Sequence, residues 1–423
     1  MKKLFSIFLI ALLVSLSPGL PAAAQAGITI TDLGTLGGTW SYALGINNLG
    51  QVAGVSQTTS GQAHAFLWEA GLITDLGTFG GSTSAAIGIN DQGQVVGYSQ
   101  TASGEYHAVV WENGGVTDLG TLGGAFSSAQ GINNLDQAVG YSQTASGEYH
   151  AVLWENGGVT DLGTLGGSNS IAESINDLGQ VAGYIWTASG QDRAFLWVGG
   201  AVTDLGTLGG PNSIAVAINN AGQVAGFSDI ASGQRHAFLW ENGGMTDLGT
   251  LGGFSSSAYD INDLGQVVGH SQTTLGQTRA FLWEDNVMTD LGALGGFDSK
   301  AYDINDQGRV AGLSQTASGQ DHASIWSIPL PPASPEEQID AIIEHVTGLV
   351  DAGVLNEGQG NALITKLENT LRQLDNANPQ AACNLLQAFI NQVQSLLDEG
   401  ILTFEEAPLL IDAAEAVRSQ ICQ

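Results

Sequence analysis

A seven-residue phrase, Asp-Leu-Gly-Thr-Leu-Gly-Gly in its commonest form, recurs through most of this chain without a single insertion or deletion. It opens at Asp32, Asp75, Asp118, Asp161, Asp204, Asp247 and Asp290, a constant spacing of 43 residues. Such a period marks a unit that cannot bury its apolar surface alone and must stack on copies of itself. Two more phrases keep step with it. Ile-Asn occurs at Ile46, Ile89, Ile132, Ile175, Ile218, Ile261 and Ile304, and a Trp closes an apolar run at Trp68, Trp111, Trp154, Trp197, Trp240, Trp283 and Trp326. Positions alike in every copy answer to the folding of the unit, and positions that differ leave room for a specific function.

Each copy reads as four short extended segments. In the second copy they span residues 84–90, 94–99, 107–112 and 116–119. Between them lie Asn90-Asp91-Gln92-Gly93, Ala102-Ser103-Gly104, Asn113-Gly114-Gly115 and finally Gly123-Gly124, residues that accept the positive φ of tight turns. Four hairpin-linked strands at this period predict the blade of a β-propeller. The last copy stops after Trp326 without a fourth strand, while a spare one, Ile28 to Gly34, precedes the first copy. The expected fold over residues 27–328 is therefore an all-β seven-bladed β-propeller with four-stranded blades, its N-terminal strand closing the last blade. Closure removes the exposed sheet edges of an open array.

The flanks have a different grammar. Lys2 and Lys3, the apolar run Leu4 to Val14 and the small-residue site Ala24-Gln25-Ala26 read as a signal peptide over residues 1–26. That run is too short to span a bilayer, and no other run is long and apolar enough. The expectation is a secreted protein, extracellular or periplasmic, with no membrane span. Asp and Glu number 41 against 10 Lys and Arg, a formal net charge of −31, which repels nucleic-acid phosphates. The same charge favours divalent cations or basic partners, or simply keeps the protein in solution; the expected partner is a glycan, peptide or protein at the cell surface, and a monomer is expected. No cofactor or metal motif stands out. The loop from Asp260 to Gly265 has oxygen ligands at its first and third positions, but Leu264 is fifth and Ser271 stands where the terminal Glu of a calcium loop belongs.

Pro329, Pro331 and Pro332 mark a stiff linker over residues 329–333, and residues 334–423 then take up helical spacing. Apolar faces run through Ile339, Ile342 and Val346, then Leu363, Leu367 and Leu371, then Leu386, Phe389 and Val393, then Leu410, Ala414 and Val417. Capping boxes open at Ser334 and Thr403. A small all-α four-helix C-terminal domain is expected. Its third and fourth helices should run antiparallel across a short link, bringing Cys383 beside Cys422 for a disulfide.

One repeated position carries a chemistry-bearing side chain. It is His64, His107, His150, His236 and His322, but Arg193 and Arg279 take its place in two copies. Arg is not a usual metal ligand, so the common denominator is a structural hydrogen bond or ion pair, with the Asp of Asp-Leu-Gly as the expected partner. Divergence concentrates on the first strand, which should line the central channel, and on one rim. There lie Trp40, Tyr42, Phe126, Glu173, Trp186, Tyr259, Asp260, Phe297, Tyr302 and Asp303. Aromatics mixed with carboxylates can hold a neutral or cationic ligand by stacking and hydrogen bonding. Asp260 and Asp303 occupy one position in adjacent copies, so they could approach across the channel, and paired carboxylates can do acid–base work on a glycosidic bond. No base, nucleophile and orienting group stand together, however. A binding or scaffold protein is the preferred reading, ahead of a glycan-active hydrolase or lyase and of a purely structural surface or matrix protein.

Asp-Leu-Gly-Thr-Leu-Gly-Gly, Ile-Asn-x-x-Gly-Gln-Val-x-Gly and His-Ala-Phe-Leu-Trp, recurring in this order over about 300 residues, resemble the HAF extracellular repeat family. The tripeptide itself stands at His64-Ala65-Phe66 and His236-Ala237-Phe238. The resemblance implies an exported bacterial propeller and supplies no reaction and no catalytic residues. Gly348-Leu349-Val350, Lys366-Leu367-Glu368-Asn369 and Phe389-Ile390-Asn391-Gln392-Val393 resemble FIMAH-type helical domains. This second resemblance implies an accessory or adhesion-like module at the C-terminus of an exported protein.

Overall fold

The computed structural model describes residues 27–328, 334–403 and 406–422. The expected signal peptide, residues 1–26, and the expected linker, residues 329–333, lie outside the described residues. The chain divides into two compact units between residues 329 and 330.

In the first unit each copy of the repeat is an antiparallel sheet laid down in chain order. The second copy runs from an inner strand, Gly80–Ile89, through Val95–Thr101 and Tyr106–Glu112 to an outer strand, Gly115–Gly120. Its hairpins turn where the Asn-Gly and Ser-Gly signals stand, with Asn113 and Gly114 both at positive φ. The inner strand differs from expectation at its start. Alternation placed it from Ser84, with the Gly-Gly pair in a turn, but the strand begins on that pair. Gly80 has φ +95°, and the register shifts between Gly80 and Ser84. Gly81 lies so close to the second strand that a Cβ would come within 2.6 Å of Gln100 Cβ. The pair is thus a strand entry that needs one left-handed residue and one close approach.

The described strands form five four-stranded sheets and one eight-stranded sheet, in which two neighbouring copies are joined through a bridge between Phe126 and Tyr106. Thr29–Asp32, the first strand in the chain, pairs with Asp321–Ser327, the last, with Ile30 opposite Trp326. Inner strands contact inner strands of the adjacent copies, and Gly37–Ile46 touches both Gly80–Ile89 and Gly295–Ile304. The sheets therefore stand radially about a central channel, as in a β-propeller.

Sheets are held to one another by apolar packing and by a repeated polar relay. Trp326, fully buried, packs on Val268, Ala280 and Leu282 of the preceding copy. Trp111 packs likewise on Ala53 and Ala65. The repeated Ser of each inner strand does more than the local turn bond expected of it. Ser84 Oγ donates to Gly77 O (2.6 Å) and accepts from the Ala65 N–H of the neighbouring sheet (2.9 Å). The same bond runs from Ala108 to Ser127, Ala151 to Ser170, Ala194 to Ser213, Ala237 to Ser256 and Ala280 to Ser299, and Ala323 donates back to Ser41. Each such hydroxyl is buried, so its loss would orphan a backbone donor.

The second unit consists of α1 (Pro335–Asp351), α2 (Glu357–Asp375), α3 (Pro379–Asp398) and α4 (Glu406–Ile421). Ser334 and Glu337 form the capping box that starts α1, and Asn356 with Gln359 does the same for α2. Ile339, Val346, Leu363, Leu367, Leu386, Phe389, Val393 and Val417 share one core. Cys383 and Cys422 are disulfide-bonded, with Cα atoms 5.9 Å apart, tying the start of α3 to the residue after α4. No described helix is long and apolar enough to cross a membrane.

Candidate functional site

Most of the side chains repeated in every copy are already used by the fold. In every copy the Asp of Asp-Leu-Gly accepts from the N–H of the Gly two residues on, as Asp118 Oδ1 does from Gly120 at 2.7 Å. Its other contact is the His of the third strand: His107 Nδ1 lies 2.7 Å from Asp118 Oδ2. His64 meets Asp75, His150 meets Asp161, His236 meets Asp247 and His322 meets Asp32, each at 2.8–2.9 Å. Arg193 reaches Asp204 at 2.9 Å. Arg279 departs from this pattern. Its side chain turns along its own strand and donates to Gln277 Oε1 at 3.4 Å, while among the described residues Asp290 keeps only its bond from Gly292.

The Ile-Asn phrase is also structural. Asn47 Nδ2 donates to Asn90 O, Asn90 to Asn133 O, and so on through Asn176, Asn219 and Asn262 to Asn305, which donates to Asn47 O. Each Asn Oδ1 turns back on its own hairpin; that of Asn133 accepts from Leu135 N and Gln137 N, both at 3.0 Å. This ring narrows one end of the channel.

Divergent positions gather at the wider part. A cavity of about 470 Å³ is lined by the inner strands, with Glu173, Tyr184, Tyr259, Asp260, Tyr302 and Asp303 among its polar and aromatic walls. Of the ten predicted ligand-site residues, Glu173, Tyr259, Asp260, Tyr302 and Asp303 line it. The other five do not. Trp40 stacks on Tyr42 (centroids 5.1 Å apart) and Trp186 lies against Tyr184 (6.4 Å). Phe126 stacks on Tyr141 at 5.6 Å, and Phe297 is 69% exposed, away from the cavity. Sequence reasoning missed Tyr184 and Phe227, which line the cavity, and the equivalent Tyr98, Tyr141 and His270, which do not line it but make ring contacts; all five follow the Gly of Gln-Val-x-Gly on the second strand. The signal was present, since that position reads Val55, Tyr98, Tyr141, Tyr184, Phe227, His270 and Leu313 across the copies. It lay on a strand not suspected of approaching the channel.

Two aromatic sectors result. In one, Phe126 and Tyr141 contact Tyr149, and Phe126 also contacts Tyr106. In the other, Tyr259 stacks on His270 (5.4 Å) and meets Tyr302 edge-on (5.3 Å), with the Arg235 guanidinium 4.5 Å above the Phe227 ring. Burial, with Lys300 and Arg235 nearby, pushes the His270 imidazole down to about 4, and its Nδ1 has no partner among the described residues.

The carboxyls differ sharply in how they are satisfied. Asp260 and Asp303 are hydrogen-bonded to each other, Asp303 donating, and both are raised, chiefly by burial; the neighbouring Asp260 drives Asp303 higher still. Asp303 Oδ2 accepts from Ile46 N at 2.7 Å, and Asp260 Oδ2 from Ile304 N at 2.9 Å. They stand where a bulge breaks each inner strand, at positions held by Gly45, Gly88 and Gly131 elsewhere, and cap backbone donors the bulge frees. Glu173 has no hydrogen bond or ion pair among the described residues. Its carboxyl faces water, but water confined by the channel walls, and burial alone pushes it up to about 7. It in turn helps to raise Tyr141, to about 12, and Tyr184. Among the described residues no group of His, Cys, Asp and Glu is arranged to hold a metal ion.

No protein-family model matches this chain, and no curated protein sequence matches it. Similar solved structures include a mutant of AofleA from Arthrobotrys oligospora, 15% identical, covering 62% of this chain and 87% of that one, with a TM-score of 0.37. A puromycin-hydrolyzing peptidase of Mycobacterium tuberculosis is 12% identical with a TM-score of 0.44; the match covers 75% of this chain and 56% of the peptidase. The six-bladed, fucose-recognising Aleuria aurantia lectin is 11% identical, with 69% of this chain and 96% of the lectin covered and a TM-score of 0.33. These likenesses are too distant to carry an activity or a ligand across.

Proposed function

We propose that this is an exported, HAF-repeat-type binding or scaffold protein: a seven-bladed propeller over residues 27–328, closed by its N-terminal strand, followed after the linker by a FIMAH-like helical module. The Ser–Ala and Asn–Asn relays, each returning to its first member after seven steps, support the blade count. The wide end of the channel binds a ligand presenting flat apolar faces, with a glycan as the leading class. One observation carries this reading. Side chains shared by all copies are consumed by bonds within and between sheets, whereas Glu173, Tyr184, Phe227, Tyr259, Asp260, Tyr302 and Asp303, at positions that differ between copies, line one cavity.

The glycan-hydrolase alternative is weakened by geometry. A glycosidase pair stands roughly 5–9 Å apart with sugar between, but Asp260 and Asp303 bond to each other and to backbone N–H groups. A glycan array probed with the full secreted chain tests the binding reading. Trp40→Ala combined with Tyr302→Ala should weaken the best ligand at least tenfold while the melting temperature falls by only a few degrees, because neither ring belongs to the buried inter-sheet core. Binding that survives both changes would place the ligand elsewhere.

A further inference from the structure

Glu173 is set apart from the other channel acids by what it lacks. Asp260 and Asp303 satisfy one another through a shared proton and through the N–H groups of Ile304 and Ile46. Glu173 comes from the inner strand Asn169–Ile175, faces the same cavity, and accepts no hydrogen bond and pairs with no cation among the described residues. Its surroundings are the tyrosines of neighbouring second strands, Tyr141 and Tyr184, whose phenols feel its charge. A carboxylate recessed in a cavity with no protein partner is costlier for a fold to keep than one in open water. The equivalent position is occupied by Leu44, Ile87 and Val216 in other copies, so the inner strand has no structural need of an acid there.

We propose that the channel recognises a primary ammonium group, carried by an amino sugar, with Glu173 as its counter-ion. This rests on the reading of the channel mouth as a ligand site. The ammonium supplies the three donors Glu173 lacks. Tyrosine faces at the cavity wall favour a cation further. The ring pair Tyr184–Trp186, of which Tyr184 lines the cavity, and the pair Trp40–Tyr42 offer flat surfaces for adjoining pyranose rings. Overall negative charge alone would attract any cation weakly and without shape.

The test compares a short glucosamine oligosaccharide with its fully N-acetylated counterpart, and both with 1,4-diaminobutane, by calorimetry on the full mature chain at pH 7 and physiological salt. The free-amine sugar should bind at least tenfold tighter than either. Glu173→Gln, which keeps the size of the side chain, should abolish that preference while leaving the overall negative charge almost unchanged. Equal affinity for the two sugars would overturn the proposal and leave a neutral-glycan site standing. A preference that persists in Glu173→Gln would overturn it too, by showing that diffuse surface charge selects the amine. Diamine binding as tight as the sugar would overturn the amino-sugar assignment. If neither sugar binds but another glycan does, this proposal fails and the channel-mouth reading survives; if no ligand binds at all, both fail.

Discussion

Glu173 makes a thermodynamic statement independent of any ligand. Its carboxyl titrates near 7 in the folded protein against an unfolded value close to 4.3. Between those limits the native state holds a proton that the unfolded chain has released, so stability falls as pH rises through the window. Below it the two states are protonated alike and nothing is lost. Glu173→Gln should therefore match the parent at pH 4 and be more stable at pH 8. A shift of this size corresponds to roughly 3 kcal/mol, and confined channel water reduces the expected gain to about 1–2 kcal/mol. Thermal melts of both proteins across this range check it; a variant destabilised at pH 8 would mean that Glu173 has a bonding role in the fold. Asp260 and Asp303 contribute in the same direction, so the comparison must be made against the parent at each pH.

At the scale of elements, the repeat was legible wherever one residue type has one local consequence. Asn-Gly and Ser-Gly placed the hairpins, and the His-or-Arg alternation pointed to an acidic partner, which the structure supplies in six copies and leaves out for Arg279. What remained hidden is non-local. Nothing in Ile-Asn says that the Asn amide will reach a carbonyl 43 residues away, and nothing in Ser-Gln says that Ser142 will accept from Leu122 N at a neighbouring loop. The same limit explains the missed second-strand aromatics, since their approach to the channel depends on how sheets are set against one another. The Asn relay yields a differential prediction. Asn133→Ala removes the bonds to Asn176 O (3.0 Å) and Gln137 Oε1 (2.8 Å) together with the acceptor for two hairpin N–H groups. It should cost roughly 2–4 kcal/mol in chemical denaturation. Asn134→Ala, one residue on and partly exposed, should cost about 1 kcal/mol or less. Equal costs would mean that the ring is ornamental and that the hairpin alone fixes the Asn.

At the scale of the molecule, the question is whether the sheets form a closed ring or only a stack. In a stack, each end unit depends on one neighbour, and its loss is a local event. In a ring, the pairing of Thr29–Asp32 with Asp321–Ser327 is a clasp on which every interface depends. The clasp carries more than ladder bonds. Asp32 holds His322 at 2.8 Å, Leu33 is buried beside Ala323 and Ile325, and Leu33 N donates to Ala323 O. Deleting residues 27–33 would strip these contacts and bare the N–H and C=O groups of Asp321–Ser327, an unprotected edge ready to pair with another chain. The expected outcome is a fall in the melting temperature of more than about 10 °C, with concentration-dependent self-association seen by light scattering. Thr117→Pro is the matched control. It breaks the outer strand Gly115–Gly120 of an internal copy, where Thr117 pairs with Val110, without touching the clasp. That variant should remain monomeric and lose less stability than the deletion. If the two variants behave alike, closure contributes nothing beyond one more outer strand, and the seven-step relays describe a stack whose ends happen to meet.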